Sequence, residues 1–155
     1  MSDAGRQLTL TQRFVGIAEE VYRRVFWVIA TLGLPPSFVV RLEVAGRQSG
    51  KVRSTILITA QHDGQRYLVS VLGNDADWVR NVRSAGYRTI IRHGRRRPVR
   101  LEEVPIDLRA PILRAYLKWA LGARAVLQLG PSSPLEEFAR IADRHPVFHI
   151  VPTGD

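Results

Sequence analysis

Apolar residues between Thr11 and Leu32 recur at three- and four-residue steps: Phe14, Ile17, Ala18, Val21, Val25, Val28, Ile29 and Leu32. That spacing draws one stripe along an α-helix. Gly33 and the Pro35–Pro36 pair stop it, and residues 1–10 ahead of it read as a flexible tail. From Phe38 the period shortens toward two and β-branched residues become frequent. Runs at Phe38–Val44, Ser54–Ala60, Arg66–Leu72, Tyr87–Arg92 and Val99–Val104 read as strands. Asp63–Gly64 is a hairpin-turn pair, and Gly46, Gly50 and Gly94 punctuate the other runs. A short helix, Ala76–Ala85, interrupts the series, with Asp75 or Asp77 near its start and Gly86 as its stop. Helical spacing returns at Pro111–Leu121, ending at Gly122. Ser133-Pro134-Leu135-Glu136 has the form of a capping box opening a helix to about Arg144. Pro146–Val151 reads as a last strand.

Connections this short favour antiparallel pairing, since a parallel pair needs a crossover of about a dozen residues. The expected class is therefore α+β, mainly β. Five or six mostly antiparallel strands curl into a small barrel with flanking helices, as a single domain over residues 11–155.

Of the 155 residues, 45% are hydrophobic and 24% charged, the composition of a chain with a real core. Cysteine is absent, which excludes disulfides, zinc–thiolate sites, iron–sulfur clusters and cysteine nucleophiles. The longest apolar run, Val25–Leu32, falls short of the ~20 residues a bilayer span needs. No signal peptide is visible, so the expected location is cytoplasmic. The first helix is expected to pack its stripe on the core, while Arg23, Arg24, Phe26 and Trp27 keep a membrane-surface helix as the alternative, so membrane association stays open. Charge changes the picture most. The net charge is +9, and the thirteen basic against four acidic residues between Arg41 and Arg100 account for all of it. A local positive field draws anions: nucleic acid, lipid headgroups, or a small phosphorylated or polycarboxylated ligand. A solvated basic face fits the composition equally.

Several chemistries fail on spacing. Gly46-Arg-Gln-Ser-Gly50-Lys51 has three residues between its glycines where a P-loop has four, and Val52 stands where that loop needs a hydroxyl. No G-x-G-x-x-G follows a strand and no G-x-S-x-G elbow is present. His145 and His149 lack a third ligand nearby, so no metal site is expected. What survives is the glycine-bounded basic turn Gly46–Thr55. Its glycines let backbone N–H groups approach an anion. Arg47, Lys51 and Arg53 bring charge, and Gln48, Ser49, Ser54 and Thr55 bring hydrogen bonds. A second element, Gly73-Asn-Asp-Ala-Asp-Trp78-Val-Arg80-Asn81-Val-Arg83, sets a short helix after the third strand, with Trp78, Asn81 and Val82 on one face. Trp78 reads equally as core or as ligand-facing.

The two motifs in this order resemble the deazaflavin-dependent nitroreductase family, small split β-barrels that bind coenzyme F420. The resemblance covers Phe38–Val104 well and the remainder loosely. It implies that Arg47, Gln48, Ser49, Gly50, Lys51 and Arg53 hold the phosphate and acidic tail. Gln48 stands where the family usually has Lys. Ser54 and Thr55 would lie along the ribityl chain, Ser70 and the Gly73–Asn74 turn would border the ring, and Trp78, Arg80 and Asn81 would close the site. Val52 and Ile56 stand where the family commonly has Pro, and Leu72–Gly73 where it often has Gly-Gly. Tyr116 is the only tyrosine beyond Tyr87, in the region where some members carry catalytic tyrosines.

A carrier that does its own redox chemistry needs to be bound, oriented and shielded, which accords with the missing nucleophile. The implied activity is hydride transfer from the reduced cofactor to a small organic acceptor: a quinone, a nitroaromatic or an enone. FMN is the alternative cofactor, and the alternative functions are a cofactor-binding barrel without turnover and a basic protein that binds nucleic acid or a membrane surface. Nucleic acid is not an expected partner; peripheral membrane contact through the first helix and a homodimer are further candidates.

Overall fold

The computed structural model describes residues 3–154, so Met1 and Ser2 of the expected tail lie outside the described residues. Six strands pair antiparallel throughout: β1 (Val39–Ala45), β2 (Val52–His62), β3 (Gln65–Val69), β4 (Arg88–His93), β5 (Arg95–Glu103) and β6 (Val147–Pro152). Their order is β1-β2-β3-β6-β5-β4, and β4 returns to β1 to close a barrel. The helices are α1 (Asp3–Leu32), α2 (Asp77–Ser84), α3 (Ala110–Tyr116), α4 (Leu121–Leu127) and α5 (Leu135–Ile141). This is the mainly-β α+β barrel that the strand runs and short connections imply.

Two cores hold it. One groups alternate residues of the strands, among them Val40, Leu42, Leu68, Ile91, Leu101 and Phe148, with Val79 and Val82 of α2 closing over them. The other joins Ala60, Val69 and Val147 to Leu113 and Leu117 around α3 and Phe138 of α5. Each fully buried large side chain contributes about 1.5–3 kcal/mol. Both central residues of the β2–β3 turn, Asp63 and Gly64, have positive φ (49° and 74°), the twist-matched hairpin turn.

Elsewhere the structure departs from the sequence pattern. α1 begins at Asp3 rather than Thr11; no proline intervenes, and Ala4, Arg6, Gln7 and Leu8 are good helix formers. Its apolar stripe does not pack on the barrel: Val21, Val25, Val28 and Leu32 are 46–65% exposed. The barrel meets the opposite side, where Ala30 is buried, Trp27 lies 4.4 Å from the Arg41 guanidinium, and the Gly94 N–H donates to Ala30 O at 2.8 Å. The helix expected over Pro111–Leu121 is two helices, with Gly122 inside α4 and left-handed Gln128 ending it. The chain turns at Leu117–Ala120 while those two residues stay buried, so the apolar spacing runs on across the break. No capping box opens α5: Pro134 is its N-cap, and Ser133 Oγ instead accepts from the Gly130 N–H at 2.9 Å. The exposed Arg95–Arg97 open β5 within the β4–β5 hairpin, four residues ahead of the strand run that starts at Val99. β3 stops at Val69, where Ser70 N–H donates to Pro146 O.

Candidate functional site

β1 and β2 stay in register from Val39↔Ile58 to Ala45↔Val52, so Gly46–Lys51 projects from one end of the barrel. Within that turn the Gly46 N–H donates to Lys51 O at 2.8 Å and the Gly50 N–H to Gly46 O at 2.9 Å. A Cβ on Gly46 would lie 3.1 Å from Lys51 O, and Gly50 has φ +71°. Both positions therefore favour glycine.

α2 lies across from the turn. Its amphipathic spacing sends Val79 and Val82 into the barrel core, and Trp78 packs edge-on against Phe148 with centroids 5.5 Å apart. Asn81 is 6% exposed. Its Oδ1 accepts from the Arg47 N–H at 3.2 Å and from Arg47 Nη1 at 2.8 Å. Arg47 Nη2 donates to Asp77 Oδ1 at 3.1 Å. Arg47 thus pins the turn to α2 with its side chain.

Turn and helix enclose a cavity of about 470 Å³. Eight of the fourteen residues expected at the site line it: Arg47, Gln48, Ser49, Arg53, Ser54, Thr55, Trp78 and Asn81. Gly50 and Lys51 belong to the same turn without lining the cavity. Four lie apart from it. Ser70 Oγ donates to Gly73 O at 2.7 Å, Asn74 Nδ2 donates to Asp143 O at 3.2 Å, and a Cβ on Gly73 would meet Arg144 O at 3.2 Å. Ser70 thus closes the loop before α2 on itself, Asn74 ties that loop to the segment before β6, and Gly73 lies close against the same segment. Arg80 is exposed on α2. Val44, Gly46 and Asp77 also line the cavity. Asp77 precedes Asn81 by one helical turn, but nothing in the sequence shows that both face Arg47.

The charges divide in a way the sequence does not reveal. Glu43 pairs with Arg41 and Arg96, each at 2.7 Å, Asp77 with Arg47, and Glu103 with Arg83. Among the described residues no carboxylate pairs with Lys51 or Arg53, so their charge is available to a ligand. Glu43 is 5% exposed. Burial pushes its carboxyl up, but hydrogen bonds and charge from Arg41 and Arg96 outweigh this and hold it below its ordinary value. Tyr116 is buried in the core around α3, and burial alone pushes its phenol up to about 12; it does not line the cavity.

A closed antiparallel barrel with a glycine-shaped cationic turn facing a helix defines a cofactor-binding split barrel. The family model for F420H(2)-dependent quinone reductases matches residues 17–132, and the chain belongs to that family. It is an F420-dependent reductase with coenzyme F420 as its cofactor. The glycine-shaped turn, the uncompensated Lys51 and Arg53, and the hydroxyls of Ser49, Ser54 and Thr55 fit an anionic cofactor of this kind. No curated protein matches the sequence.

Solved structures share the fold. One, described as a domain-swapped dimer, is 16% identical with a TM-score of 0.54, covering 90% of this chain and 98% of that one. A general stress protein 26 from Bacillus anthracis is 12% identical, TM-score 0.50, over 83% of this chain and 88% of that one. A protein from Clostridium acetobutylicum related to general stress protein 26, of the pyridoxinephosphate oxidase family, is 12% identical with a TM-score of 0.50. It aligns over 75% of each chain.

Proposed function

We propose that the cavity between the Gly46–Lys51 turn and α2 is where F420 binds, and that the chain passes reducing equivalents from it to a small organic acceptor, a quinone in the first instance. The observation carrying this reading is the cavity of about 470 Å³ walled by both motif elements, with Arg53 on its lining and, among the described residues, no carboxylate within ion-pair distance of that arginine. Lys51 and Arg53 take the anionic handle through charge-assisted hydrogen bonds, and Ser49, Ser54 and Thr55 add neutral ones. Arg47 holds turn and helix at a fixed separation. Trp78 gives an aromatic wall toward the ring, and Asn81 fixes Arg47. Bound and reduced, the cofactor supplies a hydride; the chain's part is to orient donor and acceptor and to exclude water.

Titrating the protein with oxidised F420 and with FMN tests this. Lys51→Ala and Arg53→Ala should each weaken F420 binding by about 1.5–3 kcal/mol, roughly 10- to 150-fold. Unchanged affinity in both variants, or tight FMN binding with none of F420, overturns it. Binding spread over the whole basic face would instead survive either change.

The outward stripe of α1 favours a second reading, peripheral contact with an anionic membrane. Val21, Val25, Val28 and Leu32 form an exposed apolar row, with Arg24 at its edge. No helix among the described residues is long and apolar enough to cross a membrane. Co-sedimentation with anionic vesicles that is lost in Val25→Glu supports this contact; no sedimentation of the wild-type protein sinks it. Since the barrel closes, a homodimer would not form by pairing strand edges.

A further inference from the structure

A second cavity, of about 150 Å³, lies at the other end of β2 and shares no residue with the first. Thr55 lines the first and Thr59 the second, four residues and about 13 Å apart along the strand. Its walls are Ser37, Phe38, Thr59, Gln61, Arg66 and Trp119. Phe38 and Trp119 stack at 5.1 Å with 22° between their planes.

Arg66 is the unusual member. It is half-buried, and among the described residues no carboxylate lies within ion-pair distance of it. Its hydrogen bonds all come from Nη2 and are long: 3.4 Å to Ser37 O and 3.5 Å to Thr59 Oγ1. Further positive charge surrounds it. Burial, and then the charge of Arg97, hold its pKa below the ordinary value, and Lys118 Nζ lies 5.2 Å from the Trp119 ring centre. Taking a cation out of water without an anion is costly. A guanidinium with unused donors in its planar fork is shaped for a carboxylate.

We infer that this cavity is a binding site for a small aromatic carboxylate, its carboxylate on the free edge of Arg66 and its ring against the Phe38–Trp119 stack. The volume is well under the ~300–1,000 Å³ of pockets for drug-sized ligands, which excludes a nucleotide. The aromatic wall favours a ring-bearing carboxylate over a bare inorganic anion.

Benzoate is the probe, titrated against the wild-type protein by ligand-observed NMR. Saturable binding is expected. It should weaken about tenfold or more in Arg66→Gln, through loss of the charge-assisted pair. Benzyl alcohol, which keeps the ring and lacks the charge, should bind about tenfold more weakly than benzoate. Arg53→Gln, in the other cavity, should leave benzoate affinity within about twofold, since the sites share no contact. Should Arg66→Gln fail to fold, Trp119→Leu decides: Trp119 is 46% exposed, and its replacement should weaken benzoate severalfold. No saturable binding to the wild-type protein, wild-type affinity in Arg66→Gln or Trp119→Leu, or displacement of benzoate by equimolar inorganic phosphate overturns the assignment.

Discussion

Arg47 and Arg53 stand six residues apart in one basic turn, yet the structure gives them different work, and Arg47→Ala separates the two roles. The variant loses the 2.8 Å bond from Nη1 to Asn81, whose amide is 6% exposed and keeps only the 3.2 Å contact from the Arg47 backbone. A hydrogen bond to a charged group contributes about 1.5–3 kcal/mol. The pair with Asp77 adds about 0–1 kcal/mol, because that carboxylate is 86% exposed. A loss of about 2–3 kcal/mol lowers the melting temperature by roughly 4–12 °C in a chain of this size. Arg53→Ala, with no carboxylate partner to lose, should leave melting nearly unchanged and cost F420 affinity instead. Thermal unfolding followed by circular dichroism, run beside a cofactor titration, reads both quantities. If Arg47→Ala melts like the wild-type protein and binds as poorly as Arg53→Ala, Arg47 is a ligand cation and the pinning role is wrong.

Asp77→Asn removes a negative charge from the rim of the same cavity; an anion held ~5 Å away gains about 0.8 kcal/mol in water, so F420 affinity should rise about fourfold, and an unchanged or lower affinity would count against the site. Glu43→Gln should destabilise by about 3 kcal/mol at neutral pH, the low end for a broken buried pair because Arg96 is 54% exposed. Since the Glu43 carboxyl is held below its ordinary 4.5, its contribution is complete above that pH and drains away as pH falls through the lower folded value. Melting curves of wild type and variant should therefore converge below about pH 4.5, and a constant gap would refute the pairing. Gly94→Ala places a side chain at φ +73° with its Cβ 3.2 Å from Gly33 Cα, and should cost at least ~1–2 kcal/mol in chemical denaturation while leaving cofactor binding intact.

Local spacing along the chain was enough to determine the strands, the barrel class, the Asp63–Gly64 turn and the two motif segments around the main cavity. Each rests on contacts between near neighbours: alternation along a strand, φ at a glycine, the apolar face of α2. The family resemblance carried by those motifs named the cofactor, and the match over residues 17–132 bears that out. Other features depend on partners far apart in sequence. The bonds from Arg47 to α2 span 34 and 30 residues, and the pair of Arg96 with Glu43 spans 53. Only folding shows that Arg41 and Arg96 share Glu43, Arg47 meets Asp77 and Arg83 meets Glu103, while Lys51 and Arg53 have no carboxylate partner among the described residues.

Apolar periodicity likewise says that a stripe exists and not what covers it. α1 turns its stripe to solvent because Ala30 and Gly94 bring the other side of the helix onto the barrel. The α3–α4 break is hidden for the same reason, since Leu117 and Ala120 are buried on either side of the bend. A sequence records which residues are apolar or charged; the closed barrel decides which of them meet, because burial and ion pairing act through distances that chain order does not contain.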